Sequence, residues 1–443
     1  MTVHENVRHG RFDPAALAAG IASSGVLREY VVYERAGTWH VGADPVGTVS
    51  VSPARIRSTI GGDFEEPWSG TPWPQVRAAL QRAPRGWRAY GWGCFELADP
   101  VSADVGDLLA QMMIPALELE ITAHSVTVRS RDESRVAEVC EFLSEHAPAT
   151  GLAPVSVEQT DTAYLDAVEQ AVARIRRGQF QKVILSRRVE IPHEVDIAAT
   201  YLTGRRANDP ARSFLLDLGG WQAAGFSPET VLEVDESGYA ATQPLAGTRA
   251  HRGLAALDRA LREDLLADPK EVFEHAISVK LAFQELAALG APRSTRISEF
   301  LSVKCRGSVQ HLGSRVETQL AEATAWDALT AVFPAVTASG IPKAAVYESI
   351  RDLEVDVRGL YSGIVLIADS HGMLDAALVL RAVYQRDGRA WLRAGAGVVA
   401  TSTPEREHEE TREKLSSVAP YVVAARPRPR RAPDGEVRAG HIA

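Results

Sequence analysis

YLDAVEQAVARIRRGQFQKVILSRRVEI, residues 164–191, carries a helix signal and a strand signal back to back. Tyr164, Leu165, Val168, Ala171, Val172 and Ile175 recur at the spacing of one apolar helix face, and Gly178 stands where a C-terminal cap belongs. After Phe180 that period stops, and the β-branched content of FQKVILSRRVEI predicts a strand. Lys182 lies inside it, followed at once by Val183, Ile184 and Leu185. A charge in an apolar strand must be paired or must line a cavity. If desolvated, this amine would have a lowered pKa and could act as a general base. The competing reading puts it at a strand end with its ammonium in water.

The same alternation extends in both directions. Upstream, EYVVYERAGTWHV alternates as strands with a turn at Ala36-Gly37, and GWRAYGWGCFELA reads as a further strand. IPALELEITAHSVTVRS reads as a strand pair turning near His124, and helices are expected near Gln75–Gln81 and over Glu133–His146. Downstream, helices are expected over Asp268–Leu289, Pro342–Leu353 and Pro404–Val418, and strands at YSGIVLIAD, LDAALVLRAVYQ and AWLRAGAGVV. Many strands interleaved with long helices predict an α/β or α+β fold. Ala147–Gln159, with two prolines, is a candidate linker, and the Pro/Arg-rich tail 425–443 is expected to be disordered.

Composition narrows the class. With 57 acidic against 48 basic residues the formal charge is −9, which gives no electrostatic reason to expect nucleic acid. Cys94, Cys140 and Cys305 are odd in number, widely spaced and without metal-ligand spacing, which fits a reducing compartment. Met1–Asp13 is polar, without an apolar signal region, and no apolar run is long enough to span a bilayer. A cytoplasmic protein without membrane contact is expected.

Two helix starts share a pattern. In DPKEVFEHAISVK, Asp268 can cap, Pro269 suits the first helical position, and Glu271 can close a capping box; Glu271 and Glu274 share a face. In TPEREHEETREK, Thr403 can cap and Glu407 and Glu410 repeat the three-residue spacing. Four carboxylates converging from two helices would suit a hard cation. Acidic residues in a first turn also complement the helix dipole and need no metal, so both readings stand at this point. Arg381, inside LDAALVLRAVY, is suited to a bidentate grip on a carboxylate. Arg393-Ala394-Gly395-Ala396-Gly397 loosely fits a dinucleotide fingerprint and so raises nucleotide-dependent oxidoreduction. That fingerprint needs a helix at once, whereas the next helix signal begins near Pro404; the glycines could instead let backbone N–H groups approach a carboxylate.

Together with FSPETVLEV, TQPLAGTRA, DPKEVFEHAISVK, GSVQHLGS, FPAVTASGIPKAA, RGLYSGIV, LRAGAGVV and PEREHEETREKL, in that order from about Lys182 to Leu415, these features give a recognisable set. The chain resembles the chorismate-utilising enzymes, which include anthranilate synthase large subunits and aminodeoxychorismate, isochorismate and salicylate synthases. The resemblance implies a single large α/β domain of antiparallel sheets layered with helices. Residues 1–150 would then be the N-terminal part of the same fold and 151–424 the catalytic core, so the linker would be no boundary. It implies a magnesium ion held by Glu271, Glu274, Glu407 and Glu410, which binds the ring carboxylate of chorismate and turns an acidic pocket into an anion site. Arg381 and Tyr361 match the grip on the enolpyruvyl carboxylate. Gly395, Gly397 and Lys414 stand where they assist the substrate's carboxylates, His311 near the ring, and Gly247 and Thr248 along the pocket wall.

Within the family, water-using members resemble this chain in carrying Lys where Lys182 stands; ammonia-using members usually carry Gln. Glu229 matches the general acid that protonates the departing 4-hydroxyl. Ala246 stands where aminodeoxychorismate synthases have lysine. PLAGTR, GSVQHLGS and TASGIPK, with Thr337, are similar to the salicylate-forming members, so formation of isochorismate and then loss of pyruvate in place are expected; siderophore assembly is the usual destination of that product. Gln243 departs from the glutamate usual there. Release of isochorismate, and an anthranilate synthase needing an amidotransferase partner, are the alternatives. No obligatory amidotransferase subunit, and a monomer or weak dimer, are implied.

Overall fold

The computed structural model describes residues 3–103, 107–143 and 151–426. The tail expected to be disordered lies outside them from residue 427 onward, as do the last residues of the helix expected to reach His146; that helix is observed over Glu133–Phe142.

The strands are apolar on both faces because both faces are covered. In Tyr30–Arg35, Val31 and Tyr33 enter one core and Tyr30 and Val32 another; in Arg212–Leu218, Phe214 and Leu216 part from Leu215 in the same way. Every strand ladder among the described residues is antiparallel. One run of ladders passes from Lys182–Ile191 through Arg389–Val398, Ala382–Arg386, Trp221–Ser227 and Arg212–Leu218 to Tyr30–Arg35 and Thr38–Val51. A second passes from Ala110–Ile121 through Arg88–Gly93, Ile364–Asp369, Leu374–Leu378, Thr230–Val234 and Tyr239–Thr242 to Val309–Gln319. The long partners Thr38–Val51 and Ala110–Ile121, with a bulge between Pro45 and Gly47, join the two. Tyr33, Tyr90, Trp92, Phe214, Ile367 and Tyr384, drawn from both runs, share the core between the sheets. Helices cover the outer faces, Trp73–Leu80, Pro269–Ala287 and Ala325–Val332 on one side and Pro14–Ser23 and Ile197–Ala207 on the other.

The stretch that opened the reading folds as a helix, Thr162–Arg176, with Gly178 at φ 77°, and a strand, Lys182–Ile191. GWRAYGWGCFELA is a strand only over Arg88–Gly93, with a 3-10 turn at Phe95–Leu97, and three further expectations fail. LDAALVLRAVYQ is two strands, Leu374–Leu378 and Ala382–Arg386, with Arg381 at the break at φ 52°. Asp268 caps Pro269–Ala287 by accepting from Lys270 N and Glu271 N, but the Glu271 side chain does not close the box, because it turns inward to accept from Thr248 N at 3.0 Å. Thr403 makes no side-chain cap to Pro404–Leu415.

Candidate active site

Lys182 enters its strand fully buried, so the solvent-reaching reading is wrong. Its Nζ lies 3.0 Å from Glu274 Oε1 and donates to Ser278 Oγ at 3.0 Å; Ser278 donates in turn to Glu274 O, one turn back on the same helix. The opposite backbone edge of Lys182 pairs with Gly340–Ile341, where a side chain at position 340 would place Cβ 2.3 Å from Lys182 O.

A cavity opens beside Glu274, the partner of this lysine. Of the residues singled out from sequence, Glu229, Gly247, Thr248, Glu274, His311, Thr337, Tyr361, Arg381, Gly395, Gly397, Glu410 and Lys414 line it, while Lys182, Glu271 and Glu407 stand outside its lining. Gln243 is not in the wall; it sits in the turn between Tyr239–Thr242 and Leu245–Ala250. Ile184, Pro228, Leu380 and Arg393 also line it, and sequence reasoning did not single them out as site residues.

Glu229 is 2% exposed. The Thr337 hydroxyl donates to its Oε1 and Leu245 N donates to its Oε2 at 2.8 Å. Burial outweighs these hydrogen bonds and the cations Lys182 and Lys414, and pushes the carboxyl up to about 7. An acid poised near neutrality is what proton donation to a leaving group requires.

Arg381 donates to His311 Nε2 at 2.9 Å, so Nε2 is the acceptor and Nδ1 carries the proton, facing Gly247 O and Thr248 Oγ1. Burial, with Arg381 and Lys414 nearby, holds His311 well below its usual value, so the ring is neutral. Tyr361 lies beneath the Arg358 and Arg393 guanidinium groups, at 5.8 and 5.5 Å from its ring centre. Those two arginines are held by one buried carboxylate, Glu354, at 2.6 Å each. Lys414 reaches back to donate to Gly395 O at 2.8 Å.

The four glutamates are buried together and each has a different nearest cation: Glu274 has Lys182, Glu271 has Arg249 at 3.1 Å, Glu407 has Lys270 at 2.9 Å and Glu410 has Lys414 at 2.7 Å. Among the described residues no three acidic, histidine or cysteine side chains converge closely enough to ligate an ion as they stand. Four negative charges cannot close on one another without a counter-charge between them. The carboxylates feel one another all the same. Burial, then Glu410, raises Glu271, and burial pushes Glu407 up to about 7. Burial would raise Glu410 as well, but Lys414, Lys270 and Arg406 hold it below the usual range. Glu407 is buried, with one oxygen facing the Lys270 ammonium and the other without a hydrogen bond, and an all-carboxylate donor set suits a hard divalent ion. The residues fit a magnesium site.

Glycines make two of these approaches possible. Gly247, at φ 85°, is the extra residue of a bulge where the ladder with Val309–Gln319 shifts register. At Gly397 a Cβ would stand 2.0 Å from Glu274 Oε1. Gly395 and Gly397 lie within the strand Arg389–Val398, paired with Ser186 and Ile184, and the next helix starts at Pro404. A dinucleotide loop is therefore absent here.

Residues 28–420 match the chorismate binding enzyme family, and the chain belongs to it. Over 93% of its length it is 42% identical to a salicylate synthase of Mycolicibacterium paratuberculosis, covering 94% of that protein. It is 37% identical to an anthranilate synthase component 1 of Halobacterium salinarum, over 66% of this chain and 55% of that one. Among solved structures, the menaquinone-specific isochorismate synthase of Escherichia coli superposes with a TM-score of 0.72 at 22% identity, over 95% of this chain and 94% of the other, a likeness of fold.

Proposed function

We propose that the protein is a salicylate synthase, converting chorismate through isochorismate to salicylate and pyruvate. The near-full-length identity to a salicylate synthase supports the activity. The observation that carries the mechanism is a fully buried amine, Lys182, within electrostatic reach of a buried carboxyl, Glu229, raised to about 7. In its neutral form, having given up the proton it holds against Glu274, the Lys182 amine takes a proton from water as the water oxygen bonds to ring carbon 2. The ring double bonds shift, the bond from carbon 4 to its hydroxyl breaks, and Glu229 supplies the proton with which that hydroxyl leaves as water. Arg381 and Tyr361 hold the enolpyruvyl carboxylate, and neutral His311 orients Arg381. In the second step hydrogen passes from carbon 2 to the enolpyruvyl methylene while the ether bond breaks and the ring becomes aromatic. The protein's part there is to hold the reactive conformer, with Thr337 and Leu380 in the wall.

Glu271, Glu274, Glu407 and Glu410 would hold magnesium, which when bound supplies the positive charge for the ring carboxylate. Residues 1–150 we read as part of the same fold as 151–424, since Tyr30–Arg35 pairs with Arg212–Leu218 and Arg88–Gly93 with Ile364–Asp369. No helix among the described residues is long and apolar enough to cross a membrane. We assign the chain to the cytoplasm, acting as a monomer or weak dimer without an amidotransferase subunit. Purified protein given chorismate and magnesium should yield salicylate and pyruvate in one chromatogram without a second enzyme. Accumulation of isochorismate alone would move the assignment to isochorismate synthase; anthranilate formed from ammonium would move it to anthranilate synthase.

A further inference from the structure

Three of the four cations that face the glutamates have other work. Lys182 also donates to Ser278. Lys414 also donates to Gly395 O. Arg249 also binds Asp264 and Asp268, at 2.6 and 2.5 Å. Lys270 differs. Its ammonium is 2.9 Å from Glu407 Oε1, 3.4 Å from Glu271 Oε1 and 4.0 Å from Glu274 Oε2, and its described hydrogen bonds and ion pairs all go to these carboxylates. It therefore bridges the two acidic helices, with Glu271 and Glu274 on one and Glu407 on the other.

Its position in the chain is costly by itself. Lys270 lies in the first turn of Pro269–Ala287, where the helix dipole disfavours a cation. Nor does it line the cavity, so it has no place in the wall that chorismate would touch. What compensates is the surrounding negative charge. Three carboxylates stand within 4.0 Å of its ammonium.

We propose that Lys270 is a tethered counter-cation that a divalent ion must expel. It keeps the two acidic helices together when no metal is bound, and it lowers metal affinity in the substrate-free protein. The proposal rests on the reading of the four glutamates as the magnesium site. A magnesium ion at about 2.0–2.1 Å from these oxygens would sit within a few ångströms of the ammonium. At that separation the like charges repel strongly in a buried site, so the side chain must swing out. A lysine, with four rotatable bonds, can do so.

Manganese(II), titrated into the full chain without chorismate and followed by electron paramagnetic resonance, tests this without reference to turnover. Lys270→Met should bind the ion at least ~10-fold more tightly than the wild type, about 1.4 kcal/mol. In chelator its Tm should fall by several degrees, and saturating manganese should restore it. Lys270→Gln, less disruptive to folding, should shift affinity in the same direction, and Lys270→Arg should stay near wild type. Unchanged or weaker binding in both neutral variants, with wild-type binding intact, overturns the role of Lys270 alone. A wild-type chain that binds no manganese overturns the metal site itself.

Discussion

At Glu229 the sign of the pH dependence follows from burial. The carboxyl, raised to about 7, is protonated below that value and ionised above it. A proton donor at this position therefore loses activity as pH rises through about 7, and Glu229→Gln, measured by steady-state rates across pH 5.5–9, should lose ~10²–10⁴-fold in kcat together with this alkaline limb. A limb that persists in the variant would assign the ionisation to another group. Lys182→Ala should abolish isochorismate and salicylate formation while chorismate binding, followed calorimetrically with magnesium present, remains measurable. Residual turnover near wild type would remove Lys182 from its role. Most of the cavity wall was legible through the resemblance of its motifs to the chorismate-utilising enzymes, carried over residue by residue. Lys270 was not singled out, although a cation in an acidic first turn, against the dipole, was a signal of an unusual partner.

Elements set how closely these groups approach. The Arg389–Val398 strand passes Glu274 with no side chain at Gly397, and a methyl there would overlap the Glu274 carboxylate. Gly397→Ala should thus leave the circular dichroism spectrum unchanged but weaken magnesium dependence by ~10–100-fold, read from the metal titration of the rate. The element boundary sequence reasoning misplaced is the one that matters chemically. Arg381 was expected inside one continuous strand, and it occupies a left-handed break between two. An apolar run passes unbroken through Leu378, Val379 and Leu380, so nothing in the local pattern marks that break; the tertiary position of His311, Ser417 and the cavity does.

For the whole molecule, buried charge networks tie the sheets to the site. Glu354 accepts from Ser186 N at 2.8 Å and pairs with Arg358 and Arg393, which in turn donate to Ala338 O, Ile184 O and Val357 O. Glu354→Gln leaves two buried guanidinium groups short of a partner and should cost about 3–5 kcal/mol in denaturant unfolding. A loss below ~1 kcal/mol would mean the network relaxes without it. Far from the cavity, burial lowers His40 to about 4 from 6.5. A folded value below the unfolded one gives stability that is present above pH 6.5 and lost as pH falls toward 4. His40→Gln should therefore flatten the fall in Tm between pH 6.5 and 4, and an unaltered slope would place that proton uptake elsewhere.

The sequence by itself determined the alternation of helices and strands, the family, and the residue types that meet in the cavity, because periodicity and motif order are local properties of the chain. Only the tertiary structure decided that Lys182 is fully buried, that Glu229 is buried enough for its carboxyl to be raised to about 7, and that each of four glutamates is met by a cation. Desolvation and charge pairing depend on what packs against a group from distant segments, and no single stretch of chain carries that information.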